Sequence, residues 1–410
     1  MEQIKKKLYP LKFRSTAGKT PWGGNWFIER LGKSYTEKVE VGQSSTGKKK
    51  YAEMPLTLSD KIGESWEIAD IGFRDSEVAE GWLAGSTLSE ALETYLEDVV
   101  GENVYSYYGR QFPLLVKLLD VQGRTSLMVC PDDEIASPRY DTLGKMKFWY
   151  IMDAEPGSRL YMGFRKDVPA KELYERCMNG SLEEVLNVVT PHRGDVFMIP
   201  AGLVHAAADG VSIVEISESS DLDFKIYDWK IIKDLSDTES ISLEAAFDFI
   251  NMGPYDSSLA LSKKRKEMSK DGCTEKLVSR KEFTITEIRL KDAIHINTGT
   301  TDTFLIYVCV NGTASLQIHK DDSGIDHYEI GTGEVILVPA DITDFFLVPQ
   351  DRDTILLEAT VEKIEEPDEY INPDVEAKLP GDDDDDKFTT EGGKKMSVEE
   401  FLRKNPGRMN

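Results

Sequence analysis

The sequence predicts a mainly β protein built from two related β-barrels with short helical insertions, on three observations. Short apolar or alternating runs, "QFPLLVKLLD", "SLMVC", "KFWYIMDA", "SRLYMGF", "GDVFMIPAG" and "VSIVEIS", are broken by Pro, Gly and Asp, the pattern of a sandwich or barrel. An internal repeat runs through the chain: "GDVFMIPAGLVH" from Gly194 is echoed by "GEVILVPADITD" from Gly333, and "YIMDAEPGSRL" by "YVCVNGTASL". Helical spacing of apolar residues is confined to a few segments between the strands.

Taken in chain order, residues 1 to about 85 read as extended segments and loops, with "TPWGGNW" and "IGESWEIAD" as aromatic landmarks between Gly-rich turns. "TLSEALETYLEDVVG" has apolar residues at helical spacing, opens on Thr87 or Ser89 as caps and ends on Gly101, so it is expected as a helix. The barrel strands follow, with helical inserts at "AKELYERCMNGSLEEVLNVV" and "SLEAAFDFINM". The expected divisions are a first barrel with its pocket over 1–240, a helical and charged connector over 241–277 that includes "LSKKRKEMSKDG", a second barrel over 278–364, and a tail over 365–410. That tail holds "GDDDDDKFTTEGGKK", whose charge and lack of apolar residues predict disorder, followed by "SVEEFLRK" as a short helix.

Composition narrows the function. A chain of 410 residues has room for a large core, and its 49 basic against 74 acidic residues, net charge -25, argue against a nucleic-acid backbone as partner. A small anion is still admissible, because a few clustered cations hold one phosphate inside an acidic protein. "MEQIKKKLYPLKF" is basic but leads into no apolar stretch, and no run approaches the length that spans a bilayer, so the expectation is a cytoplasmic protein without a membrane partner. Cys130, Cys177, Cys273 and Cys309 show no CxxC spacing, which predicts reduced thiols rather than a disulfide or zinc-knuckle framework. There is no GxSxG, no phosphate-binding glycine loop and no HExxH.

"TPWGGNW", "GESWEI", "QFPLLVKLLD", "VCPDDE", "GKMKFWYIMDA", "GDVFMIPAGLVHA" and "YDW" stand in the order found in class I mannose-6-phosphate isomerases, which the chain resembles over roughly residues 8 to 365. The resemblance implies cupin-like barrels of jelly-roll type and an aldose-ketose isomerase of carbohydrate metabolism, interconverting mannose 6-phosphate and fructose 6-phosphate at a zinc ion. It further implies zinc ligands at four positions: a Gln and a His before the Pro-Asp-Asp turn, a Glu after a Gly-Lys-Thr motif, and a His after the Pro-Ala-Gly turn. Here those positions are Met128, Cys130, Lys147 and His205, so only the last is kept.

Residue chemistry agrees with that comparison. Period-two spacing puts Met128 and Cys130 on one face of a strand, but a thioether is a poor zinc ligand and the Lys147 ammonium has no lone pair to offer. No bound metal and no cofactor are therefore expected. Lys147 has two readings: its ammonium takes over the cation's place beside a sugar oxygen, or it neutralises acidic groups left in a retired pocket. His205 is expected to line the cavity, and Lys145 to touch the sugar or phosphate, against the plain alternatives of an interior histidine and a surface lysine.

Lys225 stands where the resemblance implies an active-site Arg before "YDW", keeping the charge without the bidentate geometry, and Lys230 replaces another basic residue after it. Trp22 and Trp66 are candidates for a sugar-facing wall or for core packing. In the second repeat Asp344 takes the place of His205, with His319 and His327 in or beside a polar hairpin, so no metal is expected there. Cys130, flanked by Lys147 and His205, is either a reactive thiol of lowered pKa or an inert buried one.

The expected function is an isomerase-like protein with a degenerate metal site that binds a phosphosugar, or a protein partner through its tail, without catalysis. The alternatives are an active isomerase with a rebuilt or metal-free site, and a module for unphosphorylated sugar.

Overall fold

The apolar runs form strands that pair into facing sheets. The computed structural model describes residues 6–43, 48–229, 242–261, 274–320, 323–362, 387–389 and 395–397. In the first half a six-stranded antiparallel sheet runs in the order Thr16–Gly24, Ile62–Ile68, Leu114–Val121, Val211–Glu218, Lys147–Ala154, Val196–Ile199. A five-stranded sheet faces it, ordered Leu186–Val189, Arg159–Phe164, His205–Ala208, Leu127–Val129, Phe224–Tyr227. Alternation decides what each strand buries: Leu119, Trp149, Ile151 and Ile213 from one sheet meet Leu160, Met162 and Ala207 from the other in a shared core.

The second half repeats this strand order with shorter sheets. Thr274–Ser279, Thr284–Leu290, Thr354–Thr360, Leu305–Asn311 and Val335–Val338 form one, and Ile294–Asn297, Asp344–Pro349, Thr313–His319 and Ile325–Gly331 the other. The repeated motifs "GDVF" and "GEVI" open corresponding strands, so the sequence repeat is a repeat of topology. Among the described residues the sheets of each half remain separate rather than closing through hydrogen bonds into barrels.

The two halves differ in what covers the outer face of the smaller sheet. In the first, Leu127, Val129, Tyr161 and Ala206 pack outward against Leu173 and Cys177 of the helix Ala170–Asn179, the 3-10 turn Leu182–Val185, and Leu243, Ala246 and Ile250. Residues expected in a connector thus belong to this half's packing. The charged segment 262–273 and Lys230 lie outside the described residues. In the second half the same face carries the cross-strand row His295, Phe346, Gln317, His327.

The helix predicted from Thr87 forms as Leu88–Tyr95 behind a complete capping box: Thr87 Oγ1 accepts from Glu90 N–H at 3.3 Å, and the Glu90 carboxylate accepts from Thr87 N–H at 3.0 Å. Thr87→Ala is expected to lower stability by about 1 kcal/mol, read as a lower urea midpoint at constant m-value. The helix stops earlier than its spacing suggests, because Leu96 takes a positive φ of 49° and a separate turn, Glu97–Val100, follows. At Gly101 (φ +93°) a Cβ would lie 2.2 Å from the backbone oxygen of Asp302, and the Asp302 carboxylate accepts from Glu102 N–H at 3.1 Å. Docking of the second half therefore overrides local propensity there. Three short α-helices were not expected: Trp26–Leu31, closed by Gly32 in the left-handed region, Glu102–Tyr108, and Asp133–Tyr140, capped by Asp132 on Ile135 N–H.

Residues 369–410 form a separate unit, in which the described strands Lys387–Thr389 and Lys395–Ser397 pair antiparallel. The acidic run and all of "SVEEFLRK" beyond Ser397 lie outside the described residues. Among the described residues no helix is long and apolar enough to cross a membrane.

Candidate functional site

Two cross-strand rows, one on each sheet of the first half, face one another across a pocket of about 380 Å³. On the smaller sheet His205 pairs with Met128, and Met128 pairs on its other side with Lys225. On the larger sheet Glu215 pairs with both Lys117 and Trp149. The rows meet where the Trp149 and His205 rings stand edge-on at 5.6 Å. Thr20, Trp22, Thr125 and Ser126 line the rim.

Expected site residues are thereby sorted. Met128, Lys147, His205, Lys225 and Trp22 line the pocket. Cys130 and Lys145 lie behind it, buried, with their polar atoms on Asp223. Trp66 packs instead, its ring beneath the Lys117 ammonium (4.7 Å) and the Arg74 guanidinium (4.6 Å). In the second half Asp344 opens the strand corresponding to that of His205, but its side chain is exposed and bonded to His295 and Asn297, both at 3.1 Å, while Phe345 fills the interior.

The unexpected members are carboxylates and a lysine. Lys145, Asp223, Lys147, Glu215, Lys117 and Glu64 form an unbroken chain of alternating charge. Lys145 to Asp223 is 2.5 Å, Lys147 donates to Asp223, Lys147 to Glu215 is 3.7 Å, Glu215 to Lys117 is 3.2 Å and Lys117 to Glu64 is 3.3 Å. Trp149 Nε1–H donates to the second Glu215 oxygen at 2.8 Å. Lys117 and Glu215 had a readable signal, since each is a charge set between apolar neighbours in mid-strand, "LLVKLL" and "SIVEIS". Asp223 had none, being one acidic residue in an acid-rich loop.

Burial and pairing set the protonation states. Burial pulls the Lys147 ammonium down, but the surrounding negative groups, Asp223 first and Glu215 with it, together outweigh burial and hold it well above the usual lysine range. Burial would likewise push Glu215 up, and the Lys117 and Lys147 ammoniums hold it instead at about 2. Asp223 is kept well below its ordinary value by Lys145 and Lys147 against the same burial. For His205 burial and then Lys147 both act downward, to about 4, so its ring is neutral at pH 7. The reactive-thiol reading of Cys130 does not hold: burial, then the Asp223 charge, push the thiol far up, and it donates to that carboxylate.

Because Glu215 titrates near 4.5 when unfolded and near 2 when folded, the unfolded chain binds more protons in that window. The stability this gives is full above pH 4.5 and lost as pH falls toward 2. Asp223 contributes with the same sign. Urea midpoints are expected to fall through this range, and to fall less steeply in Lys117→Met.

Cys130, His205 and Asp223 place a thiol sulfur, an imidazole nitrogen and a carboxylate oxygen within 4.8 Å of one another. These are donor types that zinc takes. A dication there would stand against the Lys145 and Lys147 ammoniums, from which Asp223 already accepts.

The comparisons with known proteins agree with the sequence resemblance. Residues 30–148 match the family model "Phosphomannose isomerase type I, catalytic domain". "Probable mannose-6-phosphate isomerase GmuF" of Bacillus subtilis is 31% identical over 200 residues, 48% of this chain, which spans only 61% of that relative. The mannose-6-phosphate isomerase of Streptococcus mutans is 26% identical over 332 residues, 80% of this chain and 92% of the relative. The crystal structure of the mannose 6-phosphate isomerase from Bacillus subtilis superimposes with a TM-score of 0.66 at 23% identity, covering 85% of this chain and 99% of that one, which shows the fold. A matched catalytic-domain model over residues 30–148, a near full-length relative and a shared fold point the same way: the chain is similar to the type I phosphomannose isomerases, the class I mannose-6-phosphate isomerases.

Proposed function

We propose that this protein is a metal-free member of its family that binds a hexose phosphate without isomerising it. The observation that carries the reading is Lys147: its ammonium, seated on Asp223, stands where the resemblance implies a carboxylate ligand of zinc. Moving a proton between C1 and C2 of the sugar builds negative charge on the carbonyl oxygen, and one ion-paired ammonium is a weak substitute for a Lewis acid. Lys225 lines the pocket and has no ion pair among the described residues, so we assign it the phosphate. Lys147 and His205 face the sugar, whereas buried Lys145 supports the reading only indirectly, by holding Asp223. We read each half as a cupin-like barrel. Buried, unbridged Cys130, Cys177 and Cys309 support placement in a reducing compartment.

The test has three readouts on protein purified without chelator. We expect no stoichiometric metal by inductively coupled plasma mass spectrometry and no conversion of fructose 6-phosphate to mannose 6-phosphate. We also expect saturable binding of fructose 6-phosphate that weakens at least about tenfold in Lys225→Ala, the size of one lost charge-assisted contact. Binding unchanged by Lys225→Ala would overturn the assignment.

A second reading rests on the Cys130, His205 and Asp223 cluster: an active isomerase with a rebuilt metal site. Zinc that disappears together with turnover in His205→Ala would establish it.

A further inference from the structure

A larger groove, of about 900 Å³, lies between residues 7–9 and 80–82 of the first half and strands of the second, and is lined by none of the residues of the site above. One wall is aromatic. Trp82 is 39% exposed, an unusual position for the largest apolar side chain, and its ring leans on Tyr9 at 5.8 Å and Tyr95 at 5.6 Å. This wall is fixed by its backbone: the Tyr9 hydroxyl donates to the Glu80 carbonyl at 2.7 Å and accepts from Leu83 N–H at 3.0 Å. Gly81, at φ +80°, lets the Tyr9 ring approach to where a Cβ would lie only 2.3 Å away. An exposed indole is thus held in place before any ligand arrives.

The other walls are polar. His319 and His327 reach the groove from neighbouring strands, and the loop before Asp344 adds Asp341 and Thr343. The lining carries four carboxylates, Glu80, Asp326, Asp341 and Asp344, against two ammoniums, Lys7 and Lys320, and a third ammonium, that of Lys6, stands 5.2 Å from the Trp82 ring centroid, on one face of the indole. Lys320 is itself bound to Asp326 at 2.6 Å. Excess negative charge in an acidic protein disfavours a phosphate or any other anion here. A flat aromatic face beside carboxylates and imidazoles suits a ligand with one apolar C–H face and a rim of hydroxyls, which carboxylates accept strongly. The volume lies near the top of the roughly 300–1,000 Å³ span of small-ligand sites, which favours several sugar rings over one.

We propose that this groove binds a short, uncharged oligosaccharide, with Trp82 as the stacking platform and Glu80 and Asp341 accepting hydroxyl protons. The proposal is independent of what the first pocket binds. It is tested by calorimetric titration of the full chain with maltotriose, cellotriose and β-1,4-linked mannotriose. At least one is expected to bind saturably, about tenfold or more weakly in Trp82→Ala. Glu80→Ala, which leaves the aromatic contacts in place, is expected to weaken it as well, and decides the matter should Trp82→Ala lose its circular dichroism spectrum. Lys225→Ala should leave this binding unchanged while removing that of fructose 6-phosphate, so the two sites fail separately. Absence of binding for all three trisaccharides, or affinity unaltered by both groove variants, would overturn the proposal.

Discussion

Lys147→Ala is expected to destabilise the protein by about 3–5 kcal/mol, the loss seen when one partner of a buried ion pair is removed and the other is left uncompensated. Lys147 is only 4% exposed and lies between two carboxylates, Asp223 and Glu215. Truncation leaves both facing an empty volume, with Asp223 retaining Lys145 and Glu215 retaining Lys117. Those remaining pairs keep the loss from doubling. The double variant Lys147→Ala with Asp223→Ala should lose less than the sum of the single changes, giving an interaction energy of about 1–3 kcal/mol in a double-mutant cycle by urea denaturation. Additive losses would mean that the pair is not formed in solution.

The second large effect is a gain. Restoring the implied ligands through Met128→Gln, Cys130→His and Lys147→Glu, with Asp223→Ala to remove the carboxylate that Lys147 neutralised, leaves His205 as the fourth zinc ligand. This variant is expected to purify with near-stoichiometric zinc and to convert mannose 6-phosphate to fructose 6-phosphate, both lost on dialysis against a chelator. Wild type carried through the same purification should show neither. Zinc without turnover would place the remaining deficiency at Lys225, where a single ammonium stands in for a planar guanidinium, and Lys225→Arg added to the set tests that directly.

What the sequence disclosed follows the range of the interactions involved. The Thr87 cap was readable as one of two candidates, with Ser89, because capping is local, and so was the strand repeat, because period-two alternation survives divergence. The positive φ at Leu96 was not, and neither was the closing of Asp302, from the second half, on Gly101 and Glu102. Asp223, which settles the charge of Lys147 and keeps the Cys130 thiol protonated, becomes significant only once folding sets it beside residues more than 75 positions away. The reactive-thiol reading of Cys130 failed first because the thiol is buried and then because of the Asp223 charge: the flanking cations were visible in the motifs, and neither of these was.

The alternating chain of charges also constrains the protein's evolutionary routes. Glutamate introduced alone at position 147 would sit between Asp223 and Glu215, three carboxylates in a buried space, and would be rejected for misfolding before any benefit at the ligand position was felt. Removing Asp223 first would expose Lys145 and Lys147 to one another, the converse repulsion. On the metal-free reading proposed above, each single step toward the implied ligand set therefore crosses a stability valley, so the present arrangement acts as a ratchet that selection on folding alone suffices to hold.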